Sequence, residues 1–212
     1  MIRLFLIVWT GCTALLLASC ATLSREECLR GDWHQIGVQD GQRGHELTRI
    51  DRHRSACRDT PVNIDEGAYQ AGRDIGLVSY CTPVSGYHVA AEGDRYSDVC
   101  PVTSEAQFLQ GYILGEQVYR AEQAIADAER RVWNLESRLN GKRDEIKELR
   151  TSIAASDDRY DVSGPERTLW ILRNEADDLR RDLRDAQFDV DHARRVFRDV
   201  QERTSLQVLG GG

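Results

Sequence analysis

Apolar residues recur along the second half of the chain at steps that alternate between three and four. One run is Ile125, Ala128, Val132, Leu135, Leu139, Lys142, Ile146, Leu149 and Ile153. The other is Leu169, Leu172, Ala176, Leu179, Leu183, Ala186, Val190, Ala193, Phe197 and Val200. Only Lys142 interrupts the apolar seam, and Val118 and Ala121 extend it backward. Sustained a/d heptads with charges elsewhere specify coiled-coil helices rather than ordinary globular ones. From Ala154 to Glu166 the heptad stops and turn-forming residues gather, with Ser163-Gly164-Pro165-Glu166 in the form of a capping box. A short break between two matched runs predicts an antiparallel hairpin over 119–209, its tip at about 154–166. Folding back near Arg159–Ser163 sets Ile125 against Phe197, Val132 against Val190, Leu139 against Leu183 and Ile146 against Ala176. The paired stretch from Ile125 to Ile153 is then about 42 Å long. An intermolecular coil or a larger bundle fits the same pattern.

The first half carries a different periodicity. Three segments hold Gly-x3-Gly: Gly37 and Gly41, Gly72 and Gly76, Gly111 and Gly115. A ring precedes the first glycine by three residues each time, as His34, Tyr69 and Phe108. Glycine inside a helix costs about 1 kcal/mol relative to alanine, so a recurring pair needs a compensating gain. Four-residue spacing stacks the pair on one helix face, where close helix contact becomes possible. For the first copy a loop at Asp40-Gly41 competes with this reading. Ser24-x-x-Glu27, Asp32-x-x-Gln35 and Asn63-x-x-Glu66 are expected helix starts, and Thr103 or Ser104 the cap of the helix carrying Gly111. That helix is expected to continue into the first hairpin arm. Cys81 to Cys100, with Pro83, Gly86 and Gly93, is expected to be a loop with a short hairpin around Tyr87 to Tyr96. The fold class is thus mainly α: a small disulfide-bonded helical domain followed by a long coiled-coil hairpin.

The N-terminus follows neither pattern. Arg3 gives a positive start, and Leu4 to Leu17 is almost wholly apolar. A helix of that length rises about 21 Å, short of the roughly 30 Å hydrocarbon core, which predicts a cleaved signal peptide over 1–19. Leu17-Ala18-Ser19-Cys20 resembles the lipobox of bacterial lipoproteins. The resemblance implies lipid attachment at Cys20, by diacylglycerol and further acyl chains such as palmitate, and hence membrane anchoring. Cys12 is a poorer candidate, with Trp9 three residues before it. In Gram-negative lipoproteins an aspartate after the lipid cysteine signals inner-membrane retention. Ala21 stands there, which implies the outer membrane, facing the periplasm.

Composition narrows the chemistry. Charged residues are 30% of the chain and the net charge is −7, with no basic block, which argues against nucleic-acid binding. Beyond Cys12 and Cys20, the cysteines are Cys28, Cys57, Cys81 and Cys100. An even number in an exported domain suggests two disulfides. Three pairings exist, and the sequence-adjacent one, Cys28–Cys57 and Cys81–Cys100, is favoured. No pair has the CxxC or CxxH spacing of a zinc site. No GxSxG, HExxH, P-loop or GxGxxG occurs, so no catalytic residue, metal or cofactor is expected. His45 and His53 lie near Glu46 and Asp51, where a loose metal site competes with the commoner reading of locally hydrogen-bonded side chains. Asp32-Trp33, Tyr80, Tyr87 and Tyr96 either line a glycan groove or, more commonly for a small domain, fill its core.

Several of these residues stand in a recognisable order: Cys28, Asp32-Trp33, Ile36-Gly37, Asp40-Gly41, Gly44, Cys57, Tyr69-x-x-Gly72-x-x-x-Gly76-Leu77, Tyr80-Cys81-Thr82, Gly86, Gly93, Tyr96 and Val99-Cys100-Pro101. The pattern resembles proteobacterial lipoproteins classed as domain of unknown function 2799, over roughly residues 26 to 118. That resemblance implies export and lipidation and supplies no activity. The expected organisation is 1–19 signal peptide, 20–118 lipid-anchored Gly-rich domain and 119–209 hairpin. The expected role is a non-enzymatic envelope scaffold with a protein partner at the hairpin. The alternative is a ligand-binding module for peptidoglycan or another glycan.

Overall fold

The computed structural model describes residues 22–155 and 163–210. The signal segment, Cys20 and the centre of the hairpin tip lie outside the described residues. Within them the chain forms seven helices and no strand: α1 (Arg25–Arg30), α2 (Trp33–Gln42), α3 (Arg49–Ala56), α4 (Glu66–Tyr80), α5 (Pro83–Ala91), α6 (Val102–Ala155) and α7 (Ser163–Gly210). Two compact units result. One takes the described residues up to Ala90 together with Asp94–Ile113, the other Ala91–Gly93 and the residues from Leu114 onward.

In the first unit short side chains set the helix starts. Ser24 accepts from the Glu27 N–H, and Glu27 Oε2 accepts from the Ser24 N–H at 2.7 Å, a reciprocal capping box. Asp32 caps α2 through the Gln35 N–H at 3.1 Å. The cap of α4 is Asp65, which accepts from the Ala68 N–H at 2.9 Å, and not Asn63. At α6 the Pro101 carbonyl accepts from the N–H groups of Ser104 and Glu105, so Thr103 and Ser104 belong to the first turn rather than capping it.

The segment after Cys81 departs from expectation. Residues 83–91 are helical, with no hairpin at Tyr87–Tyr96. Pro83 occupies the first helical position, where its missing N–H costs nothing, and Thr82 Oγ1 accepts from the Ser85 N–H at 3.2 Å. Gly86 is a packing glycine. A Cβ there would sit 2.1 Å from the Phe108 carbonyl oxygen, and one at Gly111 would sit 1.8 Å from that of Pro83.

The same reciprocity holds α2 to α4. A Cβ at Gly37 or Gly41 would lie 2.0 Å from the Tyr69 oxygen or 2.2 Å from that of Arg73. A Cβ at Gly72 or Gly76 would lie 2.0 Å from the His34 oxygen or 2.2 Å from that of Val38. Each glycine faces the carbonyl three residues before its partner glycine, and the contacts advance together, so the two helices run in the same direction. Gly41 is helical, and the turn comes at Gly44, whose φ is +66°. Two apolar clusters flank these contacts. One holds Cys28, Trp33, Ile50, Cys57 and Tyr69, the other Leu77, Tyr80, Cys81, Cys100 and Phe108. Each contains one disulfide, Cys28–Cys57 or Cys81–Cys100.

In the second unit α6 and α7 form the hairpin. The helix carrying Gly111 continues unbroken into the first arm. Leu135, Leu139, Ala176, Leu179 and Ala186 form its buried seam, with Val132, Ile146 and Leu183 packed on it. Arg131 to Asp189 at 2.9 Å and Arg194 to Glu129 at 2.7 Å tie the arms along their edges. Lys142, the interruption in the seam, bridges Glu145 of its own helix and Glu175 of the other at 2.9 and 3.1 Å. Burial continues past Val200 to Thr204 and Val208, with the Thr204 hydroxyl donating to the Val200 carbonyl at 2.8 Å.

Candidate functional site

Three polar side chains lie in the core of the first unit. Asp40 projects from α2, His53 from α3 and Tyr69 from α4, and all three are buried. The Tyr69 hydroxyl donates to Asp40 Oδ2 at 2.8 Å, and His53 Nε2 lies 2.6 Å from the same oxygen. A carboxylate only accepts, so Nε2 carries the proton. Nδ1 then faces Thr22 Oγ1 at 2.9 Å. Burial acts to raise the Asp40 carboxyl, but the bonds from His53 and Tyr69 outweigh it and hold the group below its ordinary value. Burial and then the bond to Asp40 push the Tyr69 phenol up. Hydroxyl, imidazole and carboxylate thus stand in the order of a nucleophilic relay. The imidazole is 1% exposed, however, and the carboxylate oxygen it uses already holds a second donor. The arrangement joins three helices and the residues that precede α1.

A second polar group surrounds the α2–α3 connection. Arg73 Nε donates to the His45 carbonyl at 2.9 Å, and Gly44 lies so close to the Tyr80 ring that a Cβ would meet it at 2.1 Å. These contacts fix the loop that leads to Arg49 and Arg52. Among the described residues Arg49 Nε is a buried side-chain nitrogen without a hydrogen-bond partner. An unmet buried donor costs about 1–3 kcal/mol. Burial first, then the Arg49 guanidinium, holds the His45 imidazole below its ordinary value.

The hairpin presents a third kind of surface. Its outer positions pair Asp or Glu with Arg, as in Arg120–Glu116, Arg130–Asp127 and Arg181–Asp178. Among them stand large apolar side chains turned to solvent: Trp133 at 67%, Trp170 at 64% and Phe188 at 73% exposure. Isolated apolar residues are ordinary on a surface, but tryptophan and phenylalanine are residue types enriched at protein interfaces.

The sequence-derived candidates fall as follows. The four cysteines form the two bridges. His53 is hydrogen-bonded within the core, while His45 lies in the loop beside Arg49, and no cluster of metal-ligating side chains occurs among the described residues. Trp33 and Tyr80 are buried in different clusters, and Tyr96 packs on Phe108 with ring centres 4.6 Å apart, so these rings serve two cores and not one open groove. The Asp40–His53–Tyr69 network and the Arg49 hollow escaped sequence reading, because their members come from separate helices with no shared spacing.

No curated protein and no solved structure matches the chain. No helix among the described residues is long and apolar enough to cross a membrane. Residues 32–117, which hold α2 to α5, the start of α6 and the Cys81–Cys100 bridge, match the model of the family described as Protein of unknown function (DUF2799), and that stretch is the part of this chain that resembles the family.

Proposed function

We propose that the chain is a cell-envelope lipoprotein with a non-enzymatic scaffold role, held by lipid on Cys20 at the outer membrane and facing the periplasm. The observation that carries the scaffold reading is the hairpin. Two long helices close their own apolar seam, yet leave Trp133, Trp170 and Phe188 exposed among paired charges. A rigid amphipathic surface of this kind suits a protein partner. The anchor reading rests on Leu17-Ala18-Ser19-Cys20. Thr22 is hydrogen-bonded to His53, so a lipid on Cys20 would stand two residues from the folded domain and hold it against the bilayer surface.

Two experiments test the two parts. Cys20→Ser should abolish fatty-acid labelling and leave an uncleaved precursor; normal labelling of that variant would refute lipidation at this site. Crosslinking in intact cells should recover protein partners that disappear when 119–209 is deleted. Partners retained without the hairpin, or sedimentation with cell-wall sacculi in place of any protein capture, would replace the scaffold with a ligand-binding module.

A further inference from the structure

We infer that the hollow beside the start of α3 is a binding site for a phosphate group. The hollow has a volume of about 160 Å³ and is lined by His45, Glu46, Thr48, Arg49, Arg52 and Ser97. Its charge is unlike that of the chain. Two guanidinium groups face one carboxylate there, whereas the whole chain carries −7. That carboxylate, Glu46, already accepts from the Thr48 hydroxyl at 3.2 Å.

Arg49 lines this hollow, and its Nε is a buried nitrogen with no hydrogen-bond partner among the described residues. A guanidinium presents its donors in a fixed fork that fits the oxygens of a phosphate. Arg49 stands close enough to depress the His45 imidazole, second only to burial itself, with Asp40 opposing it and Arg43 adding a smaller push. The site is also prebuilt, since Arg73 holds the His45 carbonyl and Tyr80 walls Gly44. Arg49 and Arg52 from α3 and Ser97 from the loop before α6 line it from different parts of the chain. A tetrahedral phosphate offers oxygens in several directions to such a set, where a carboxylate offers two in one plane.

Free phosphate and the phosphodiester of a lipid headgroup share this chemistry. The headgroup source rests on the acylation of Cys20, and the free-phosphate source does not. The test is an NMR titration of the full chain in detergent micelles, read at the Arg49 Nε–Hε signal. The probes are inorganic phosphate and glycerophosphoglycerol, the soluble headgroup of phosphatidylglycerol. A saturable shift with phosphate alone identifies a free oxyanion site. A shift with the diester alone identifies a headgroup site, and a shift with both identifies recognition of the phosphate itself. Arg52→Gln, at an exposed position, should weaken binding about tenfold without lowering the melting temperature. Arg49→Lys keeps the charge and loses the fork; read at the His45 ring signals, which report on the same hollow in every variant, it should weaken binding similarly. Arg30→Gln removes the same charge elsewhere and should leave affinity within about twofold. Absence of a saturable shift with either probe overturns the site. So does equal weakening by Arg30→Gln, which would mark diffuse electrostatics. Failure of Cys20 labelling leaves the phosphate result standing and refutes only the anchor.

Discussion

Gly37 and Gly72 hold α2 and α4 at backbone contact, each leaving room for a carbonyl of the other helix: a Cβ on either would lie 2.0 Å from the Tyr69 or His34 oxygen. No rotamer relieves that approach, because the obstructing atom is backbone. Gly72→Ala is therefore expected to destabilise the first unit by about 1–3 kcal/mol or more, despite alanine's better helix propensity. Gly141→Ala is the control, since nothing lies within 4 Å of a Cβ there; it should stabilise by up to about 1 kcal/mol. Chemical unfolding of both variants checks the opposite signs.

Tyr69→Phe removes one donor from Asp40 and leaves the ring in the core. The expected loss is about 1–2 kcal/mol by chemical denaturation at neutral pH. A neutral result would show that the Asp40 oxygen is satisfied without it.

Acid should unfold the first unit through the same carboxylate. Burial raises Asp40, the bonds from His53 and Tyr69 overcome it, and the folded value lies below the ordinary 3.8. A depressed acid contributes its full stabilisation above the unfolded value and loses it as pH falls through the folded one. Stability is therefore expected to fall below about pH 4. In Asp40→Asn the neutral-pH stability should be lower and the acid limb shallower. An unchanged acid limb would assign the titration to other groups.

In the hairpin, Leu139 and Leu183 belong to one seam. Leu139→Ala should cost about 2–5 kcal/mol. Leu139→Asp should cost more by burying an unpaired charge, and Arg181→Ala, exposed and paired with Asp178, little. Cysteines at 139 and 183 should crosslink within one chain. Crosslinking between chains alone would make the coil intermolecular, and linkage of 135 with 183 instead would shift the register by half a heptad.

Lys142 offers a gain. Its amine is raised by Glu145 and then Glu175, both in contact, but its place in the seam suits an apolar side chain. Lys142→Leu is expected to raise the melting temperature of the hairpin and to reduce its salt dependence, measured by thermal melts at two ionic strengths.

Sequence legibility followed locality. The hairpin could be read because its contacts repeat every few residues, and the continuation of α6 because Gly111 interrupts a helix without ending it. Helix α5 is not legible in the sequence, because Pro83 and Gly86 mark loops as readily as helix starts and packing faces. Only the facing backbone of Phe108 reveals Gly86 as a packing residue. Asp40-Gly41 looks like a turn for the same reason, whereas Asp40 points into the core and Gly41 against α4. Asn63 and Asp65 both have capping side chains, and the choice between them depends on where α4 meets α2. The polar network and the Arg49 hollow require three-dimensional proximity between residues that no period relates.

The two disulfides enclose separate stretches of chain, 29 and 19 residues apart in sequence, and neither crosses the other. If the chain is exported N-terminus first, as proposed above, Cys28 meets Cys57 before Cys81 has crossed the membrane, and Cys81 then finds Cys100. Oxidation in order of appearance gives the native pairing directly. On that route, thiol exchange between wrong partners, the slow and isomerase-dependent part of many oxidative folding reactions, would not be required.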